Sequence, residues 1–248
     1  VGEGEEVDLE RFRVKRLQVR QGGVMDTSLV RGLMLLKSRV DLNISHDSEG
    51  GKVAIIDGGL EKSKLQTSAS IEVGDLGVLQ GFHDREIQVL GNQVEHLSSL
   101  GVDLLVARGG IADEAVPILT DAGITAYRRF EKSDIDLLSI ITGANPMRSV
   151  SSLKESDVGK YSKRSEESIA DVKHTLIEGK GMGMTLVVRG STPNIREESV
   201  RIFDDAIGVA HRMNSSPGVL PGGGAIQAHL ARHLRTFSKT QSGREQLA

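Results

Sequence analysis

The sequence has no cysteine and no tryptophan, and aromatic residues make up 3% of its 248 residues. The lack of cysteine excludes disulfides and thiolate metal sites, and the scarcity of aromatic side chains argues against a surface on which nucleic-acid bases stack. No apolar run approaches the roughly 18 residues that a membrane helix needs, and no signal peptide opens the chain. The net charge of −3 gives no basic footprint for nucleic acid or an anionic membrane. We therefore expect a soluble, cytoplasmic protein with neither of these partners.

Several catalytic motifs are also missing from the sequence. There is no GxxxxGK[ST] phosphate loop, no GxSxG motif and no cysteine nucleophile. His229 and His233 are four residues apart, but no glutamate adjoins the first and no third ligand is evident, so we expect no metal site. Arg128-Arg129 is interpreted as a solvated edge rather than a phosphate clamp.

The middle of the chain carries an α/β pattern. We predict a strand over 102–107, a helix over 111–122 that ends at Gly123, a strand over 124–127, and a helix that starts at Ser133 and ends at Gly143. Short links between alternating strands and helices are typical of a parallel, right-handed unit with helices covering the sheet. Further strands are predicted over 29–37, 53–56 and 185–188. A helix capped near Asp75 would place four apolar side chains on one face: Ile87, Leu90, Val94 and Leu97.

A second pattern joins two aspartates to a glycine turn. A helix over 193–213 begins after Thr192, carries Asp204 and Asp205 side by side, and has an apolar stripe predicted to be buried: Ile195, Ile202, Phe203, Ala206, Val209, Ala210 and Met213. Gly222, Gly223 and Gly224 then open a helix over 225–237. A carboxylate near a helix start that favours anions is an arrangement that nucleotide hydrolysis could use. Surface charges beside a tight turn are the simpler interpretation of the same residues.

The ordered set of short strings resembles the group II chaperonins, which are the archaeal thermosome and its eukaryotic cytosolic relatives. The strings are Gln21-Gly22-Gly23, Asp26-Thr27, Val53-Ala54-Ile55-Ile56, Ala122-Gly123-Ile124, Arg128-Arg129, Lys132-Ser133-Asp134, Thr142-Gly143-Ala144, Arg189-Gly190-Ser191-Thr192, Phe203-Asp204-Asp205-Ala206-Ile207-Gly208, Pro221-Gly222-Gly223-Gly224 and Ser242-Gly243-Arg244-Glu245-Gln246-Leu247-Ala248. The resemblance covers nearly the whole chain.

The resemblance implies a fold class and domain boundaries. The fold would be α/β, with an apical domain of parallel β-α-β core and β-rich flank, a small α+β intermediate segment and an α-helical equatorial piece. Residues 1–21 and 179–212 would be the two segments of the intermediate domain. Residues 22–178 would be the apical, client-binding domain, with a lid protrusion near 62–91, and residues 213–248 would be part of the equatorial domain. Because the sequence starts with Val1 and stops where an amphipathic helix begins, we expect a fragment of a longer chain.

The resemblance also implies a molecular chaperone subunit of a double ring of identical or homologous subunits. It would bind unfolded polypeptide and fold it using ATP with magnesium. Asp205 is the best match to the aspartate that activates the attacking water, with Asp204 as the runner-up, and Gly222, Gly223 and Gly224 match the glycine turn near the nucleotide. Ile111, Val116 and Leu119 belong to the helix that takes part in client binding, although for Val116 and Leu119 taken singly, packing on the sheet is the favoured interpretation.

Two departures from the family limit the expected ATP chemistry. Gln227 stands where many relatives have an acidic residue, and the phosphate loop of Gly-Asp-Gly-Thr-Thr type does not occur in this sequence. We therefore expect this chain alone to bind ATP poorly and not to hydrolyse it. Two other functions stay open: an ATP-independent polypeptide-binding module, and a small-molecule enzyme on an α/β scaffold.

Overall fold

The computed structural model describes residues 14–41, 44–45, 47–61, 76–169, 171–216 and 218–243. The chain divides into two compact units, Asp8–Phe203 and a smaller one formed by Val1–Val7 with Asp204–Ala248. The division falls inside a long helix. The expected lid at 62–91 lies outside the described residues up to 75, and of 76–84 only the helical backbone is described.

The described part of the larger unit contains nine strands, three complete α-helices and the first half of a fourth, besides three short 3-10 turns. The strands are β1 (Val14–Val19), β2 (Ser28–Arg31), β3 (Leu33–Leu35), β4 (Gly51–Ile56), β5 (Leu104–Ala107), β6 (Thr125–Tyr127), β7 (Gly159–Ile169), β8 (Val172–Gly179) and β9 (Met184–Arg189). The helices are α1 (Leu76–Ser99), α2 (Ala115–Asp121), α3 (Lys132–Thr142) and α4 (Pro193–Ser215). The smaller unit, as far as it is described, contains the end of α4 and then α5 (Ala225–Ser238).

The strands form two sheets. The larger sheet has the order β3-β8-β7-β4-β5-β6, in which β4, β5 and β6 are parallel neighbours and the other pairs are antiparallel. The smaller sheet has the order β1-β9-β2, with β1 parallel and β2 antiparallel to β9. The α/β class and the parallel unit predicted over 102–127 are confirmed.

The central strands are buried on both faces. Along β4 and β5, alternate residues enter opposite core clusters: Ala54, Ile56, Leu105 and Ala107 pack with α1 and α2, whereas Val53, Ile55, Leu104 and Val106 pack with α3. A parallel sheet covered by helices on both sides explains why these two strands are apolar at nearly every position. Leu90, Val94 and Leu97 of α1 belong to the first cluster, while the fourth predicted member, Ile87, is exposed.

The single strand predicted over 29–37 is wrong, because the chain changes sheets at Gly32. β2 joins the smaller sheet and β3 the larger one. Gly32 has a φ of 103°, and a Cβ built there would lie 2.6 Å from the carbonyl oxygen of Ile177. The hydroxyl of Thr185, on β9, donates to the Gly32 carbonyl at 2.8 Å and accepts from the Met34 amide at 2.9 Å. This hydroxyl therefore satisfies buried backbone groups on both sides of the turn.

Three other predictions need correction in detail. Helix α2 begins at Ala115 rather than Ile111, and α3 begins at Lys132 rather than Ser133. Helix α4 begins at Pro193 as predicted but ends at Ser215 rather than Met213. The Ile195 amide donates to the Thr192 hydroxyl at 3.3 Å, as expected of a cap. The buried stripe on α4 is wrong: Ile202 and Met213, for example, are 58% and 59% exposed. Helical periodicity predicts an amphipathic face but not what covers it.

The Gly32 turn generates a stability prediction. We expect Gly32→Ala to lower the free energy of unfolding by about 1–3 kcal/mol, because alanine meets both an unfavourable φ and the Ile177 carbonyl. Gly91→Ala in α1 is the matched control, since its Cβ would meet no atom within 4 Å. It should raise the stability by about 0.5–1 kcal/mol. Urea unfolding followed by circular dichroism measures both, and equal effects of the two substitutions would contradict this account of Gly32.

Candidate functional site

Two glycine loops meet at the carboxyl ends of the parallel strands. Asp57-Gly58-Gly59 follows β4 and Arg108-Gly109-Gly110 follows β5. The Gly109 amide donates to the Gly58 carbonyl at 2.7 Å, and the Leu60 amide donates to the Gly110 carbonyl at 2.9 Å. A Cβ at Gly109 would lie 2.8 Å from the Cα of Gly59. The glycines are needed because the two backbones run against each other, which fixes where the chain enters α2.

Helix α2 starts late because of Pro117. Proline lacks an amide hydrogen and is tolerated in the first turn of a helix but not inside it. With the start at Ala115, Pro117 is the third helical residue. The preceding Ile111 forms a β-bridge with Leu60 instead of a helical turn.

The three predicted client-binding residues differ in exposure. Ile111 is 3% exposed and Leu119 is 2% exposed, and both belong to the core cluster between the sheet and α1. Val116 is half-buried at the edge of that cluster, next to the exposed Pro117 and the half-buried Ile118. Among the three, Val116 alone offers apolar surface on this chain, while Ile111 and Leu119 pack on the sheet.

Helix α3 is tied to the smaller sheet by an ion pair that the sequence did not reveal. The Nζ atom of Lys15, on β1, lies 2.5 Å from Oδ1 of Asp134, whose residue is 2% exposed. Asp134 lies in the first helical turn, where a carboxylate is favoured. The two residues are 119 positions apart, so no local pattern could have paired them.

Charged groups surround the loops that follow β4, β5 and β6. Arg108 donates to Asp57 at 2.8 Å, and this hydrogen bond, helped by the charges of Arg108, Lys132 and Arg148, holds the pKa of Asp57 below its usual value. Arg128 donates weakly to Asp113 at 3.4 Å, and Arg129 has a φ of 60° while its carbonyl accepts from Lys37 at 2.7 Å. The arginine pair thus has contacts within this chain at a largely exposed edge.

The smaller unit holds the predicted nucleotide residues. Asp204 and Asp205 are both exposed on α4. Gly223 and Gly224 have φ values of 67° and 80°, and Gly224 directly precedes α5, whereas Gly222 has no positive φ and a Cβ there would meet nothing within 4 Å. A groove of about 370 Å³ at the end of α4 is lined by Val209, Arg212, Met213, Ser216 and Gly218, and so by none of the predicted nucleotide residues.

His229 and His233 are exposed on α5. Among the residues that the structure describes, no group of three or more histidine, aspartate or glutamate side chains is arranged to hold a metal ion. Within the same residues, no helix combines the length and the hydropathy that crossing a bilayer requires.

Known proteins are similar to this chain over its whole length. Residues 1–248 match the sequence model of the TCP-1/cpn60 chaperonin family. A thermosome subunit of Methanopyrus kandleri is 33% identical over 245 residues, which are 98% of this chain and 45% of that protein. Thermosome subunit alpha of Halobacterium salinarum is 32% identical over 250 residues, covering 100% of this chain and 44% of that protein. The chain thus spans just under half the length of these curated relatives.

The fold is also similar to a solved structure, the open-state monomer of a group II chaperonin from Methanococcoides burtonii. The TM-score is 0.73 at 24% identity, and the match covers 96% of this chain and 53% of that chain. At this identity the likeness concerns the fold alone.

The Asp57–Arg108 pair generates a pH prediction. The pKa of Asp57 should lie below the usual aspartate value and should rise toward it in Arg108→Gln, because the largest cause of the lowering is then lost. The matched control is Arg128→Gln, which removes a nearby arginine that is not among the causes of the Asp57 shift. Carboxyl-carbon NMR titration measures the change. A pKa that does not move in Arg108→Gln would contradict the assignment.

Proposed function

The chain belongs to the TCP-1/cpn60 chaperonin family, and from this premise we propose that it is part of a chaperone subunit that binds unfolded polypeptide. The observation that carries the proposal is the match of residues 1–248 to the family. Folding driven by ATP, a ring of identical or homologous subunits and a cytoplasmic location are proposed for the full-length subunit on the same basis. We propose the domain boundaries that the resemblance implies: 1–21 and 179–212 intermediate, 22–178 apical, and 213–248 equatorial.

For the client surface we propose the outer side of α2. An unfolded chain offers exposed apolar side chains, so its receptor needs apolar area that stays accessible in the folded protein. Val116 provides such area beside Pro117 and Ile118. Ile111 and Leu119 act on the client only indirectly, because their side chains fill the core and hold α2 against α1 and the sheet.

Helix α2 is held firmly by the residues around it, which supports the proposal that its outer side is the client surface. Its inner side is held by Ala115 and Leu119 in the core cluster, and its entry is fixed by the Leu60–Ile111 bridge and the interlocked glycine loops. A binding surface on a packed helix changes little between the free and bound states. Several weak surfaces of this kind in one ring would add up by multivalency.

For ATP and magnesium, the residues present fit in part. Gly223 and Gly224 have positive φ values and no side chains, so the backbone at the start of α5 is open to a nearby phosphate group. Asp205 would accept a proton from the attacking water as a general base, with Asp204 as the second candidate. Bound ATP with magnesium would supply the phosphoryl group that is cleaved. The main phosphate loop of the family does not occur in this sequence, so we propose that the chain alone binds polypeptide without ATP turnover.

The client surface can be tested by aggregation suppression. A chemically denatured protein is diluted with and without this chain at near-stoichiometric ratios, in the absence of ATP, and light scattering is followed. We expect suppression by the wild type and a clear loss in Val116→Asp, because contact with an apolar segment would then require desolvation of a carboxylate. Val172→Asp is the control, since Val172 is an exposed valine of β8 outside the proposed surface. Equal loss in both variants, or none in either, would contradict a client surface on α2.

The proposal that the chain alone does not hydrolyse ATP is tested by a separate measurement. Phosphate release from ATP with magnesium by the wild-type chain should equal that of Asp205→Ala, because the main phosphate loop of the family does not occur in this sequence. In a full-length subunit the same substitution should lower turnover by about 100- to 10,000-fold, the usual contribution of a positioned base. Magnesium-dependent turnover by the chain that Asp205→Ala abolishes would overturn the proposal.

A further inference from the structure

A shallow pocket lies at the amino ends of the parallel strands, on the larger unit. It has a volume of about 310 Å³ and is lined by Gly51, Lys52, Lys160, Tyr161, Ser162 and Lys180. We call it the lysine pocket. Its residues come from the starts of β4 and β7 and from the position that follows β8, so three neighbouring strands of one sheet form it. Neither α2 nor the predicted nucleotide residues take part.

The charges of the lysine pocket are all of one sign. Lys52 and Lys160 are directly opposite each other in the antiparallel β4–β7 pair, and Lys180 follows Gly179, which pairs with Tyr161. Like charges at opposed positions of a sheet are unfavourable. None of the lining residues is acidic. The repulsion between the ammonium groups decreases when an anion binds between them.

As far as the structure describes the chain, two of the three ammonium groups have no contact that would compete with a ligand. Nζ of Lys52 donates to the Leu100 carbonyl at 2.9 Å, which anchors that side chain. Lys160 and Lys180 are exposed, and within the described part of the chain neither side chain has a hydrogen bond or an ion pair. They are therefore available as donors.

The wall of the lysine pocket is fixed by buried polar contacts. Tyr161 is 3% exposed, and its hydroxyl donates to Oδ2 of Asp103 at 2.8 Å and lies 3.2 Å from the Ser48 hydroxyl. Burial raises the pKa of Tyr161, so this donor keeps its proton at neutral pH. A Cβ at Gly51 would collide with both the Asp103 carboxylate and the Tyr161 hydroxyl. The Asp103 carboxylate, which accepts from Tyr161, is not part of the pocket lining.

From this geometry we propose that the lysine pocket binds a small anion carrying two or more phosphate or carboxylate groups, gripped by Lys160 and Lys180 beside Lys52. Phosphates and carboxylates both accept charged hydrogen bonds from lysine, which acts as a point charge with little geometric preference. The volume is at the lower end of small-molecule sites. The proposal is independent of the proposed chaperone activity, because it uses none of the same residues.

Tyrosine fluorescence can report binding, since the chain has no tryptophan and two tyrosines. Tyr127→Phe leaves Tyr161, in the pocket wall, as the sole emitter. This variant is titrated with inorganic pyrophosphate and, separately, with citrate, at an ionic strength held constant with chloride. We expect a saturable change in emission. Saturation with pyrophosphate alone assigns the pocket to phosphates, with citrate alone to carboxylates, and with both to multivalent anions in general.

The decisive variant carries Lys160→Gln and Lys180→Gln in the Tyr127→Phe background. We expect its Kd for the probe to rise roughly 3- to 30-fold, the effect of two exposed charge contacts. The matched control carries Lys132→Gln and Lys154→Gln, two exposed lysines that do not line the pocket, and its Kd should stay within twofold. Circular dichroism checks that both fold. No saturable binding of either probe, or equal Kd values in the two double variants, would overturn the proposal.

Discussion

The change of sheet at Gly32 is the constraint on which the larger unit depends. At this residue the chain leaves the three-stranded sheet and enters the six-stranded one, and the approach to the Ile177 carbonyl leaves no room for a side chain. The buried hydroxyl of Thr185 holds the backbone on both sides of the turn. Since an unsatisfied buried backbone group costs about 1–3 kcal/mol, loss of this hydroxyl would destabilise the junction between the two sheets. The Lys15–Asp134 ion pair then adds a second link, from the smaller sheet to α3.

Much of the larger unit could be predicted from local patterns. The apolar runs of β4 and β5, the link from β5 through α2 to β6, and the left-handed Gly143 that ends α3 all carry short-range signals. The resemblance to group II chaperonins, built from short strings in order, is confirmed by the family match. The predictions that failed had both non-local and local causes. The break at Gly32 depends on Ile177 and Thr185, which are distant in sequence. The late start of α2 follows from Pro117, a local signal, and is accompanied by the bridge between Ile111 and Leu60.

The candidate sites also combine features that the sequence predicts with features that depend on non-local contacts. Residue types and order were enough to select Ile111, Val116 and Leu119, but not to tell which of them reaches the surface, because helical spacing is the same for a buried and an exposed face. The structure separates them by burial. The lysine pocket has no sequence signal, since Lys52, Lys160 and Lys180 become neighbours only through the pairing of β4, β7 and β8. Contacts between residues that are distant in sequence cannot be predicted from the local patterns of a single sequence.

Helices α4 and α5 carry exposed apolar side chains. Along the described parts of α4 and α5, Ile202, Val209, Leu230, Leu234 and Phe237 are each more than half exposed. Amphipathic helices obtain most of their stability from tertiary packing of the apolar face rather than from helix propensity. Four of these five side chains belong to the smaller unit, whereas α2 packs on the larger unit, which has cores on both faces of its sheet. The proposed client surface on α2 and the proposed nucleotide residues near the glycine turn therefore lie in different units and can be tested separately. This is the physical reason to measure client binding on this chain without ATP.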